Sequence, residues 1–337
     1  MFIVRPIPYL WFYQFLSKTF AMAFDVFTSA PILFFLLGVF SRLVKSDLEI
    51  PYPLPKFFSL YVMSAIGVQG GVHLTRSPFE YHYLKIFLVG ILGSFGVAYL
   101  AYYVFRRFTS KANAVALSAS YGSISAVTFI TGTALLSRLQ IPYGPYMIAV
   151  MAFMESPAIL MAMFFYLKDF HEEPKSLSTI IKHSITNNSI VVLLGSFLIG
   201  TLLSNEGWNK ISPFYEGLFQ GLLTFFLLDL GLAVAKRFED LKKAPFSLFC
   251  STLAFQVSMA LVAFFVGVFL KFSQGDTFLL MLLFGSASYI AAPAAMRTAV
   301  PEANPSLYLS LAMGITFPFN ILIGIPFYLW IVQQYGG

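Results

Sequence analysis

Residues 118–132 read SASYGSISAVTFITG, and residues 283–297 read LFGSASYIAAPAAMR. Each is an apolar helical pattern interrupted by small or helix-breaking residues. Gly122, Ser123 and Ser125 interrupt the first, and Gly285, Ser286, Ser288 and Pro293 the second. A break of this kind frees backbone N–H and C=O groups. At membrane depth such groups persist only where they are buried in protein or line a wet cavity. The meaning of the two breaks therefore turns on whether lipid is the solvent.

Composition answers that question. Of the 337 residues, 58% are hydrophobic and 11% charged, against roughly 25% charged in an ordinary soluble domain. No soluble core of this size hides so much apolar surface, whereas lipid leaves no apolar penalty on the outer surface. A spanning helix needs about 20 mostly apolar residues. Ten segments qualify: 25–44, 54–74, 83–105, 113–137, 146–168, 188–204, 214–236, 245–271, 277–298 and 306–333. No strand-period alternation recurs, which excludes an outer-membrane barrel from the expectation. The aromatic-rich first 20 residues, MFIVRPIPYLWFYQFLSKTF, lack a cleavage pattern and read as an interfacial segment.

The net charge of +6 would raise nucleic acid as a partner for a soluble chain. Here the basic residues lie between apolar segments and act as topogenic signals. Alternate ends starting from the N-terminus hold 7 of the 21 Lys and Arg residues, and the opposite ends hold 14. The richer side faces the cytoplasm, so both termini are expected outside a multi-pass protein of the cell (inner) membrane.

Ten helices divide into 1–168, a cytoplasmic linker 169–187, and 188–337. Five helices is an odd number, so the second half enters the bilayer from the opposite side. The two matched breaks fall in the fourth and ninth helices. The expectation is an all-α integral membrane protein built from two inverted five-helix repeats with broken crossing helices, a plan shared by many secondary transporters.

Two matched breaks are also the best sequence pointer to a transport site. Half-helix N-termini direct partial positive charge inward and suit an anion. Gly122, Ser123, Ser125 and Thr128 supply close approach and hydroxyls at the first break, and Gly285, Ser286, Ser288 and Pro293 at the second. The plain alternative is small-residue helix packing. Ionisable residues within spans are rare and expensive. Glu155, in FMESPA, and Asp229, in FFLLDLGLA, are the two that stand out. Either carboxylate would bind a cation or carry a proton, or else sit protonated against a neighbouring helix. Arg297 follows the second break and either attracts an anion or marks the membrane edge. Cys250 is the lone cysteine, so no intrachain disulfide forms. His171 and His183, in the linker, read as solvated rather than as metal ligands. No HExxH, Walker A loop or GxSxG elbow occurs, so neither an enzyme nor an ATP-driven pump is expected, and no cofactor is called for.

The segments YGSISAVT (121–128), FMESPAIL (153–160), FYEGLFQGLL (214–223) and AMRTAVPEANPSLY (295–308), followed by GIPFYL (324–329), resemble the sodium-dependent bicarbonate transporter family, in the same order and with similar spacing over roughly 25–335. The resemblance implies a fold similar to sodium/proton antiporters and bile-acid symporters, a core domain moving past a trimer-forming scaffold in an elevator-type cycle, and Na⁺ and bicarbonate bound where the broken helices cross. It implies Glu155, Ser125 and Thr128 as Na⁺ ligands, while Asp229 stays a further coupling candidate from its place within a span alone. The family's pattern differs here at four places: Tyr289 stands where it has Asp, Ala291 and Ala292 where it has Ser-Gly, Val127 where it has Ser, and Glu155 where it has Asp. These differences keep two alternatives open, a proton- or Na⁺-coupled organic-anion carrier and a transport-deficient membrane sensor. A regulatory small signalling protein docking on the central loop is a further partner the resemblance raises.

Overall fold

The computed structural model describes residues 28–76, 82–170, 188–241 and 245–335. The N-terminal segment, both linker histidines and the extreme C-terminus lie outside them. Among the described residues every regular element is helical and no strand occurs. Seven helices are long and apolar enough to cross a bilayer, and three shorter apolar helices accompany them.

The elements run in chain order as α1 (Ala30–Leu43), α2 (Leu54–Arg76), α3 (His82–Phe105), α4 (Lys111–Gly122), α5 (Ala126–Arg138), α6 (Met147–Phe153), α7 (Glu155–Phe170), α8 (Asn188–Leu202), α9 (Asn205–Ser212), α10 (Phe219–Leu241), α11 (Phe246–Phe269), α12 (Gln274–Phe284) and α13 (Ala291–Ala299). The last span is α14 (Pro305–Leu311), α15 (Phe317–Phe319) and α16 (Ile325–Tyr335), joined by π-helical segments Ala312–Thr316 and Asn320–Gly324. Pro318 lies inside this span and cannot donate a backbone hydrogen bond, and the wider π turns on either side absorb that defect.

Helices from distant parts of the chain pair closely. The most extensive packing joins α1 to α10 and α2 to α8. Glycine makes this possible. A Cβ on Gly231 would stand 3.1 Å from the Cα of Gly38, and one on Gly200 would stand 3.1 Å from the Cα of Gly71. Backbone meets backbone at both places, the small-residue packing expected in lipid. Tyr61 and Gln69 of α2 also donate hydrogen bonds to the carbonyls of Phe214 and Tyr215.

The first broken span, α4 plus α5, lies at the centre of the protein. Of its most apolar stretch 94% is buried, against 33% for α3, so lipid does not reach the freed backbone groups. α4 packs on α3 and α7, α5 packs on α12, and α13 packs back on α4. The two broken spans thus cross at their interruptions.

The fifth apolar segment is also split, at Met154, between α6 and α7. The sequence reading has it as one helix. Pro157 sits within the first turn of α7, where its missing N–H costs little. The freed Met154 carbonyl accepts a hydrogen bond from the Ser94 hydroxyl of α3 at 2.5 Å.

Candidate functional site

At the first break Ser125 is the N-cap of α5, and its Oγ accepts from the Thr128 N–H at 3.2 Å and from the Thr128 hydroxyl at 2.9 Å. At the second, Ser288 Oγ accepts from the Ala292 N–H at 3.3 Å, which satisfies one orphan donor at the start of α13. Pro293 is buried in the first turn of α13, where it forfeits no intrahelical bond.

The breaks hold each other. The Ser125 N–H donates to Ser286 Oγ at 3.0 Å, and the Ser288 N–H donates to the Ser120 carbonyl at 2.7 Å. Each break thus satisfies one freed backbone donor of the other. Gly122 and Gly285 let each broken span seat on a neighbouring helix: a Cβ on Gly122 would stand 2.7 Å from the Ala98 Cα of α3, and one on Gly285 2.9 Å from the Ala260 Cβ of α11.

A small cavity of about 30 Å³ opens at the crossing, lined by Ser125, Ser288, Tyr289 and Glu155 among apolar side chains. Its volume admits about one or two water molecules. Ala126, at the start of α5, and Ile290, just before α13, also line it. Both half-helix N-termini therefore meet the cavity, and both favour negative charge there. Glu155 opens α7 and is buried. Its carboxyl makes no hydrogen bond or ion pair with any of the described residues. The Tyr289 hydroxyl is buried near Ser125 without completing a hydrogen bond.

Of the residues singled out in the sequence, Ser125, Ser288 and Glu155 reach one cavity. Thr128 and Ser286 stand directly behind Ser125 and hold it, while Gly122, Ser123, Gly285 and Pro293 are buried in the surrounding packing. Asp229 is half-buried on α10 and does not line the cavity, so the structure separates it from the crossing. Arg297 is exposed. Among the described residues no cluster of His, Cys, Asp and Glu capable of holding a metal occurs.

Sequence reasoning missed the apolar side of the cavity. Met63 of α2, Met151 of α6 and Leu193 of α8 close over Ser125 and Glu155. Nothing in the hydropathy of α2 or α8 distinguishes these residues from lipid-facing ones. Two larger cavities flank α5: one of about 620 Å³ against α1 and α10, and one of about 430 Å³ against α2 and α10, the second lined in part by Gln69, Thr133, Ser137 and Glu216.

A bundle of lipid-length apolar helices, with a broken pair crossing over a buried carboxylate, defines a multi-pass membrane protein of the transporter class. The sequence pattern of the Na⁺-dependent bicarbonate transporter superfamily matches residues 30–333, and the chain belongs to that family. Comparison with individually curated proteins gives no match.

Proposed function

We propose that this protein is a secondary active transporter that carries bicarbonate with Na⁺ by an elevator-type movement. The observation that carries the reading is the convergence of Ser125, Ser288, Glu155 and two half-helix N-termini on one cavity. The helix ends and hydroxyls suit an anion, and the carboxylate suits a cation. Each charge offsets the cost of holding the other in a low-dielectric site. At about 30 Å³ the cavity is tighter than an anion with its ion requires, so binding involves retreat of Met63, Met151 or Leu193.

Ten spans in two inverted repeats accompany this reading. The packing supports it, because exchanging the halves converts one observed pair into another: α1 with α10 becomes α8 with α2, and α5 with α12 becomes α13 with α4. The glycine contacts exchange in the same way, as do Gly122 on Ala98 and Gly285 on Ala260. The glycine-locked α1, α2, α8 and α10 form the fixed scaffold, which in this reading assembles a homotrimer in the inner membrane with both termini outside. The cavities beside α5 are the space past which the crossing helices slide.

The test is uptake of labelled bicarbonate into proteoliposomes with and without an inward Na⁺ gradient. Gradient-dependent uptake is expected, and no uptake under either condition refutes the reading. A second reading, transport of an organic anion, draws on the apolar lining supplied by Met63, Ile124, Ile130, Met151 and Leu193. Competition of labelled bicarbonate by short carboxylates separates the two.

A further inference from the structure

Behind the second break lies a group of buried polar side chains that the crossing cavity does not use. Thr252 and Gln256 stand one helical turn apart on α11, and Thr316 and Asn320 stand one turn apart in the π-widened part of the last span. All four are buried, with Thr252, Gln256 and Asn320 completely so. α11 packs on the segment Ala312–Thr316, which carries Thr316.

Two further residues tie the pairs together. The Asn320 Nδ2 donates to the carbonyl of Gly285 at 2.9 Å, and Gly285 in turn rests on α11, where an added Cβ would stand 3.2 Å from the Gln256 carbonyl. The Tyr121 hydroxyl bonds Thr316 Oγ1 at 2.7 Å and lies near Thr252.

Four atoms of this cluster complete no hydrogen bond: Thr252 Oγ1, Asn320 Oδ1, and both Oε1 and Nε2 of Gln256. At membrane depth an unsatisfied polar group finds no water to pair with, and so dense a cluster of orphans points to an occupant. Three of the four are oxygens. Gly285 is the C-cap of α12 and its carbonyl meets the Asn320 amide, so the negative end of a half-helix dipole lies beside this cluster. Half-helix C-terminal ends with unwound carbonyls are where transporters hold alkali cations. A single water donating to the two amide oxygens and accepting from the Thr252 hydroxyl and the Gln256 amide would pair all four atoms. A cation takes the three oxygens directly, with one accompanying water accepting from the Gln256 amide nitrogen, and the negative end of α12 favours it over water alone.

We propose that Gln256, Asn320, Thr252 and the carbonyl end of α12 form a binding site for a small, partly hydrated monovalent cation, Na⁺ in size, separate from Glu155. The site has no carboxylate among its members, so its charge is not cancelled locally. Gly285 is joined directly to Ser286, which holds the Ser125 N–H. Occupancy would therefore stiffen the second break and add positive potential beside the crossing. Cation binding here does not depend on which anion is carried.

The test is the melting midpoint of the purified full-length protein in bicarbonate-free NaCl, KCl and choline chloride at equal ionic strength. Wild type and Glu155→Gln are both expected to melt higher in NaCl than in choline. Gln256→Met and Asn320→Leu are expected to lose that response. Thr252→Val keeps shape and is expected to raise the half-effective Na⁺ concentration about tenfold, as loss of one contact to a charged group does. It serves as the readout where the larger changes fail to fold. A Na⁺ response retained in full by all three variants overturns the proposal, and so does its absence from wild type. A response abolished by Glu155→Gln places the cation at the crossing instead and also overturns it. Bicarbonate uptake is measured separately, so failure of the transport reading leaves this result distinct.

Discussion

Replacement of Ser125 by Ala tests the crossing most directly. Ser125 Oγ accepts two hydrogen bonds, from the N–H and the hydroxyl of Thr128, at 3.2 and 2.9 Å. With its lone pairs engaged, its own proton is left to donate into the cavity that it lines. Ser125→Ala removes an N-cap, worth about 1 kcal/mol of stability. It also strips a buried hydroxyl of its partner, a loss of about 1 kcal/mol or more that Thr128 recovers only by bonding back to its own helix. The protein should melt lower by an amount corresponding to about 2 kcal/mol. Loss of a donor to a charged ligand costs about 1.5–3 kcal/mol, so the KM for bicarbonate should rise about 10- to 100-fold. Thr128→Val is the matched control. It preserves shape and the backbone cap, loosens only the steering of the Ser125 proton, and should raise KM about threefold. Uptake into proteoliposomes over a range of bicarbonate concentrations reads both. An unchanged KM in Ser125→Ala, or a larger effect from Thr128→Val, would refute the assignment of Ser125 as the aimed donor.

Three further outcomes follow from the same geometry. Glu155→Gln should abolish the Na⁺ dependence of uptake while leaving the melting midpoint close to wild type, because Gln keeps size and hydrogen-bonding capacity. Asp229→Asn should do less, since Asp229 is away from the cavity, and equal losses in the two variants would undo the distinction. Gly231→Leu should prevent α1 from seating on α10 and cost well over the roughly 1–3 kcal/mol of ordinary overpacking, because the contact is backbone on backbone. Its signature is loss of folded protein on size-exclusion chromatography, whereas Gly195→Ala, which meets no neighbouring atom, should be silent. In a Cys250→Ser background, Phe2→Cys and Gly337→Cys should react with a membrane-impermeant thiol reagent added outside intact cells, and reaction only after permeabilisation would reverse the assigned orientation.

Much of the crossing was legible in the sequence because helix interruption is a local property. Gly122 to Ser125 and Gly285 to Pro293 break a hydropathic run in a way that one strand of text displays, and Ser125, Ser288 and Glu155 do line one cavity. What was not legible depends on partners far along the chain. The split at Met154 is stabilised by Ser94 of α3, and a reading of residues 146–168 alone sees only an apolar segment with a proline. Met63 and Leu193 close the cavity from helices that read simply as apolar. Gln256 and Asn320 are a different case. A polar amide in an apolar span is visible at once, and the i, i+4 spacings of Thr252 with Gln256 and Thr316 with Asn320 could have singled them out. Attention to charged residues passed over these neutral ones.

The glycine contacts between α1 and α10, and between α2 and α8, bear on how the protein is made. α1 and α2 leave the ribosome long before α8 and α10 exist, so their small-residue faces wait in the bilayer without partners. Synthesis of the second half supplies those partners, and the fold closes late, over sequence separations such as the 153 residues between Tyr61 and its acceptor Phe214. A protein assembled this way has no half that stands by itself, yet the seam between its halves is not covalent in any essential sense. Fragments 1–187 and 188–337, co-expressed as separate chains, should therefore find each other in the membrane, while either fragment alone should be degraded.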